Sequence, residues 1–141
     1  YQGYGLTEFS PVISTNYPFA NKVGSCGKVI PSAQIKINED NELFVKGPSL
    51  MKAYLNQEEL TSKSIDKDGW FHTGDVAYLD EDGYLYITSR VKEIFKTSTG
   101  EYVNAVAIEQ KLSKNKYIEF AVVISQNRKY TTVLLFVDKE K

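Results

Sequence analysis

Residues 69–96 read GWFHTGDVAYLDEDGYLYITSRVKEIFK, and this stretch decides the fold. Apolar and polar residues alternate over 75–79 and 84–88 around a turn at 80–83, the pattern of a β-hairpin. A hairpin of that length brings Asp75 and Arg90 to the same end of a small sheet. A carboxylate that accepts two hydroxyl hydrogen bonds, beside a fixed fork of guanidinium donors, suits a ribose or a phosphate. The segment 71–75 reads as a turn entering a strand, with Gly74 permitting close backbone approach. The ordinary alternative is a turn with a capping aspartate. His72, the chain's one histidine, has no acidic partner near it in sequence, which favours a structural role over that of a general base.

Downstream, 90–96 spaces charges at Arg90, Lys92, Glu93 and Lys96. On an extended segment Arg90, Lys92 and Lys96 share one face, either as a solvated basic surface or as a hinge between units. After it, 93–96 reads as a short strand and 97–100 as a loop. Asn104 is placed to cap a helix running to about Leu112, with Val106, Ile108 and Leu112 facing inward. Two β-rich runs, 118–125 and 130–137, flank a turn at 126–129. Upstream, 1–22 is rich in turn formers and shows no clear period, and 23–31 is a glycine-rich approach. Strands are expected at 33–37 and 42–46, a helical turn at 50–55 and a helix over 57–65. Near the start, YGLTE at 4–8 sets Thr7 beside Glu8 in a glycine-punctuated loop. The hydroxyl can bond a phosphate or carbonyl oxygen and the carboxylate can bind Mg²⁺, while a polar loop start is the plainer reading. Tyr78, Tyr84 and Tyr86 fall at strand spacing and read as sheet packing. The class is therefore α+β. A small antiparallel β-barrel-like subdomain, starting at about residue 23, is followed by a second α+β unit, with units over 1–89 and 90–141 and the boundary near 89–92.

Composition narrows the function classes. Of 141 residues, 42% are hydrophobic and 25% charged, which fits a folded domain. Seventeen basic against eighteen acidic residues give a net charge of −1, so no basic excess points to nucleic acid. The single cysteine, Cys26, excludes an internal disulfide and a cysteine-rich zinc site. A reducing, cytoplasmic setting is the default expectation. No apolar run approaches the roughly 20 residues of a membrane helix, and no signal-peptide pattern is read. The opening YQGYG and the close just after a strand predict a segment of a longer protein.

Taken in order, YGLTE (4–8), ELFVKGP (42–48), GWFHTGD (69–75) and RVKE (90–93) resemble the C-terminal third of the adenylate-forming superfamily. That superfamily comprises acyl-CoA synthetases, non-ribosomal peptide adenylation domains and luciferase. GWFHTGD, KEIFKTS and the run from IEQKL to YIEFAVVI look most like long-chain fatty acid–CoA ligases of the AMP-forming type. The resemblance implies that 1–89 is the end of a large adenylating domain and 90–141 the truncated start of a mobile lid. It implies substrates ATP, a fatty acid and CoA, with Mg²⁺, and leaves room for peripheral membrane contact. It places Tyr4 against adenine, Thr7 on the phosphate, Glu8 on Mg²⁺, Asp75 on both ribose hydroxyls, Ile87 beside the base and Arg90 on the ribose. Lys92 matches the hinge, and Lys96 a lysine that some members bring in for thioester formation. Ser89, Ala53 and Asn41 stand where the family usually has glycine. A phosphate loop is expected before this segment and a further catalytic lysine after it, so the polypeptide alone is expected not to adenylate. Another acyl- or aryl-adenylating enzyme, or a non-catalytic nucleotide- or protein-binding module on the same fold, remains the alternative.

Overall fold

Short alternating runs closed by turn formers give the first part of the chain its strands. The structure, a computed structural model, describes residues 1–125 and 128–138. It divides into two units, Tyr1–Thr88 and Ser89–Lys141. In the first, β1 (Gly3–Gly5), β2 (Val12–Thr15) and β3 (Lys28–Val29) make an antiparallel three-stranded sheet. A second sheet holds β4 (Gln34–Ile37), β5 (Glu42–Lys46), β6 (Phe71–Leu79) and β7 (Leu85–Arg90) in that order. Helix α1 (Glu58–Ser64) lies between β5 and β6 in the chain. The sheets meet where Cys26 N donates to Leu85 O (2.7 Å) and Leu85 N to Gly27 O (2.9 Å). Only glycine fits at 27, because φ is +84° and a Cβ would lie 1.9 Å from the Thr15 carbonyl carbon.

The central strand β5 buries Leu43, Phe44 and Val45 in succession because both of its faces are covered. Val45 joins Phe9, Ile13, Ala33 and Phe71 in one core cluster, and Leu43 joins Ala77 and Leu85 in another. Each large apolar side chain so buried contributes about 1.5–3 kcal/mol. The α+β class and the antiparallel β subdomain are as expected. The strands form two open sheets and no closed barrel, since β1 and β4 each end a sheet.

Three local expectations need correction. Residues 1–22 contain β1, β2 and a 3-10 turn at Thr7–Phe9. These pieces are too short to show a period, and distant bonds define them, such as Asn16 N to Gln2 O (2.9 Å) and Leu6 N to Pro11 O (2.8 Å). Residues 50–55 form bends and a turn with no helix. There the Met51 and Tyr54 amides donate to Glu8 O (2.7 Å) and Thr61 Oγ1 (3.0 Å), which leaves them no part in a helical ladder. Residues 71–75 are strand, not turn, and β7 runs on to Arg90.

The hairpin turn after β6 is built by Asp80, whose Oδ1 accepts from Asp82 N (3.0 Å) and Tyr84 N (2.9 Å). Lys22 adds ion pairs to Asp80 (2.7 Å) and Asp82 (2.9 Å). Of the three tyrosines expected to pack on the sheet, Tyr78 and Tyr86 stack at 4.8 Å, while the Tyr84 ring lies under the Lys22 and Lys28 ammonium groups.

The second unit has a ribbon of β8 (Ile94–Lys96) and β9 (Tyr102–Asn104), then α2 (Ala105–Leu112), then the hairpin of β10 (Ile118–Ile124) and β11 (Thr132–Val137). Strand β9 was not anticipated, being three residues long. Asn104 does cap α2, its Oδ1 accepting from Ala107 N at 3.0 Å. The helix is tied to β10 by Glu109, whose Oε1 accepts from Val123 N at 2.7 Å. Val106, Ile108 and Leu112 are half-buried, and Ala105 is the helical residue that is fully buried. Within the expected turn at 126–129, residues 126 and 127 lie outside the described residues.

Candidate functional site

A β-bulge places Asp75. Opposite β5, Glu42 pairs with Val76 and Phe44 with His72, so Thr73, Gly74 and Asp75 stand against Leu43 alone. Thr73 stitches the bulge together: its Oγ1 donates to Leu43 O (2.7 Å) and accepts from Asp75 N (3.1 Å). Gly74 supplies the left-handed step, with φ +69°, and its N donates to Glu42 Oε1 (3.3 Å). The extra residues shift the strand's alternation, so Asp75, Val76 and Ala77 are buried consecutively. Asp75 is only 3% exposed.

A carboxylate so buried needs donors. One comes from β1, where Tyr4 OH donates to Asp75 Oδ2 at 2.5 Å. The half-buried Tyr4 ring packs on the cluster of Leu43, Ala77 and Leu85, and Ile87 packs on that same cluster from β7. Tyr4, Asp75 and Ile87 thus gather around one apolar patch, a phenol-bridged carboxylate with an aliphatic neighbour. Such a set can hold a flat ring against the apolar groups and a diol against the carboxylate.

Thr7 and Glu8 lie on the 3-10 turn that follows β1, Thr7 exposed and Glu8 half-buried. Glu8 Oε1 accepts from Tyr54 OH at 2.8 Å. Burial pushes the Tyr54 phenol up from its ordinary value, and the Glu8 carboxylate adds to the shift. The contact of Tyr54 with Glu8 has no signal in the local sequence, because 46 residues separate the two and no spacing rule spans that distance. Among the described residues no group of three or more His, Cys, Asp or Glu side chains could hold a metal. A Mg²⁺ at Glu8 would therefore complete its shell with phosphate oxygens and water, which is how that ion is ordinarily held. The donor set fits.

The remaining expected site residues belong to the second unit or to its first strand residue. Arg90 ends β7, and its backbone N donates to Glu93 Oε2 at 3.0 Å, bracing the 3-10 turn Val91–Glu93 that contains Lys92. Lys96 is exposed on β8, its Nζ 5.4 Å from the Tyr102 ring centroid. Arg90, Lys92 and Lys96 thus fall on three successive elements, and the turn between them interrupts the single extended face expected from their spacing. Ser89 Oγ is buried and has no hydrogen-bond partner among the described residues. His72 packs edge-on against Phe44 with ring centroids 4.4 Å apart, and its Nδ1 lies 3.9 Å from Glu42 Oε1, an acidic neighbour that sequence spacing does not show.

The chain is similar to known proteins along most of its length. A profile described as "AMP-binding enzyme" matches residues 1–55, and one described as "AMP-binding enzyme C-terminal domain" matches 92–141. A 4-coumarate–CoA ligase of Pinus taeda is 42% identical over 141 residues, covering 89% of this chain and 26% of the relative. The long-chain-fatty-acid–CoA ligase ACSBG1 of Bos taurus is 41% identical over 141 residues, covering 96% of this chain and 19% of the relative. Among solved structures, the o-succinylbenzoate–CoA synthetase of Bacillus subtilis in complex with ATP and magnesium ion is 33% identical. It superposes with a TM-score of 0.78 over 96% of this chain and 30% of its own. The chain spans less than half the length of each of these curated relatives, 26% and 19% in these two cases.

Proposed function

The chain belongs to the AMP-binding enzyme family, and from that premise we propose that it is one segment of an ATP-dependent acid–thiol ligase. In the proposed reaction a substrate carboxylate attacks the α-phosphate of ATP, giving acyl-AMP and pyrophosphate. The CoA thiol then attacks the acyl carbonyl, forming the thioester and releasing AMP. Residues 1–89 would close the large adenylating domain, and 90–141 would begin the lid. Asp75 accepts both ribose hydroxyls, Tyr4 lies on the adenine and Ile87 flanks it. Thr7 bonds the phosphate, Arg90 supports the ribose, Lys92 is the pivot and Lys96 serves the thioester-forming half of the cycle. Mg²⁺ held by Glu8 would offset phosphate charge.

The observation that carries the reading is the bulge that buries Asp75 beside Tyr4 and Ile87. A buried carboxylate at an irregular strand position is costly to keep, and a nucleoside diol gives it a purpose. For the acid we propose a long-chain fatty acid, in line with the GWFHTGD and KEIFKTS motifs. An aryl acid is the second reading, because the 4-coumarate ligase is as similar as the fatty-acid ligase, at 42% against 41% identity. We place the enzyme in the cytoplasm with peripheral contact to membranes, the source of such acids. Among the described residues no helix is long and apolar enough to cross one.

Acid-dependent ATP–pyrophosphate exchange by the full-length enzyme tests the reading, with palmitate and 4-coumarate compared side by side. Palmitate-dependent exchange is expected, and coumarate-dependent exchange would replace the fatty-acid reading with the aryl one. Asp75→Asn should raise the KM for ATP by about 10-fold or more, the effect of losing roughly 1.5 kcal/mol of charge-assisted hydrogen bonding. No exchange with any acid would remove the proposal.

A further inference from the structure

Glu8 is held from two directions by the segment that follows β5. Its carbonyl accepts from Met51 N at 2.7 Å, and its Oε1 accepts from Tyr54 OH at 2.8 Å. Tyr54 is itself anchored, since its backbone N donates to Thr61 Oγ1 at 3.0 Å. That hydroxyl in turn donates to Gln57 O at 2.9 Å, at the start of α1. One continuous path therefore runs from α1 through Thr61 and Tyr54 to the Glu8 carboxylate.

We propose that Tyr54 is a positioning residue for the Glu8 carboxylate, occupying Oε1 so that the second oxygen is presented to a divalent cation. The inference rests on the reading of Glu8 as the Mg²⁺-binding carboxylate. A glutamate has several rotatable bonds, and ordering it costs rotamer freedom. A phenol fixed to a helix removes that freedom before the metal arrives. The choice of donor matters as well. A lysine or arginine there would neutralise the carboxylate and compete with the cation, whereas a neutral phenol orients it and leaves its negative charge intact. Outer-shell partners of this kind typically change metal affinity by about 10–100-fold.

The test measures metal binding directly. Mn²⁺ is titrated into the full-length enzyme holding α,β-methylene-ATP, and the free ion is followed by electron paramagnetic resonance. Tyr54→Phe keeps the ring and removes one oxygen, and it should weaken Mn²⁺ binding by about 10-fold. Glu8→Gln should weaken it at least as much. The double variant should bind no more weakly than Glu8→Gln alone, because Tyr54 acts only through Glu8. Losses that add in the double variant would overturn the proposal, as would unchanged binding in Tyr54→Phe with weakened binding in Glu8→Gln. Unchanged binding in both would remove the Mg²⁺ reading of Glu8 and this inference with it. Thr61→Val, which releases the Tyr54 amide, supplies a second variant should Tyr54→Phe fail to fold. A smaller weakening is expected from it, and unchanged affinity would then decide against the proposal.

Discussion

The bond between Tyr4 and Asp75 invites a double-mutant cycle. Tyr4→Phe deletes one oxygen and leaves the ring on Leu43, Ala77 and Leu85, so the packing loss is small. The deleted hydroxyl is a 2.5 Å donor to a carboxylate that is 3% exposed. A hydrogen bond to a charged group is worth about 1.5–3 kcal/mol, and a buried acceptor left short of a donor loses that and its desolvation together. Asp75→Ala removes the acceptor, with a cavity cost of its own that cancels in the cycle. We expect a coupling energy of about 1.5–3 kcal/mol between the two positions. Urea unfolding of the chain reads it through Trp70, the only tryptophan, which lies in the same unit as both residues. Other partners of Asp75 persist in both arms and drop out of the difference. A coupling below about 0.5 kcal/mol, the usual scatter of independent sites, would refute the claim that Tyr4 holds the buried carboxylate.

Two further outcomes follow from the second unit and from the hairpin turn. In the full-length enzyme Lys92→Pro restricts φ at the proposed pivot and should impair thioester formation far more than adenylation; equal loss in both half-reactions, measured separately, would count against the pivot. The Lys22 ammonium beside Asp80, then the Tyr84 and Asp82 amides, hold the Asp80 carboxyl below its ordinary 3.8, despite opposition from desolvation. The folded state thus binds this proton less readily than the unfolded one, so the stabilisation is present above about pH 4 and is lost as pH falls further. Thermal melts from pH 2 to 7 should show a shallower acid limb in Lys22→Ala, and an unchanged limb would assign the acid sensitivity elsewhere.

Much of this architecture was legible in local pattern. The turn between β6 and β7 announces itself through Asp80 and Gly83, and the start of α2 through Asn104, because each device works within a few residues of chain. Strand β5 was read at its observed bounds, 42–46. The bulge at Thr73–Asp75 has the local pattern of a turn instead. Its left-handed glycine is a turn signal, and only the register against β5 shows that two strands continue past it. Residues 50–55 depart from the expected helical turn for the mirror reason, since the Met51 and Tyr54 amides are claimed by Glu8 and Thr61 and not by carbonyls one turn back.

The sequence by itself determined the residue types of the site, the hairpin and capping devices, and the motif order that places the chain in its family. Those properties are local, or are carried by identity alone. Tertiary structure decided which of those residues meet. Tyr4 reaches Asp75 across 71 positions and Tyr54 reaches Glu8 across 46. Sheet pairing and packing set both contacts, because a hydrogen bond depends on ångström distances that chain order does not contain. Tyr54 shows the difference most clearly, since nothing near it in sequence marks it and its phenol lies on the carboxylate proposed to bind the metal.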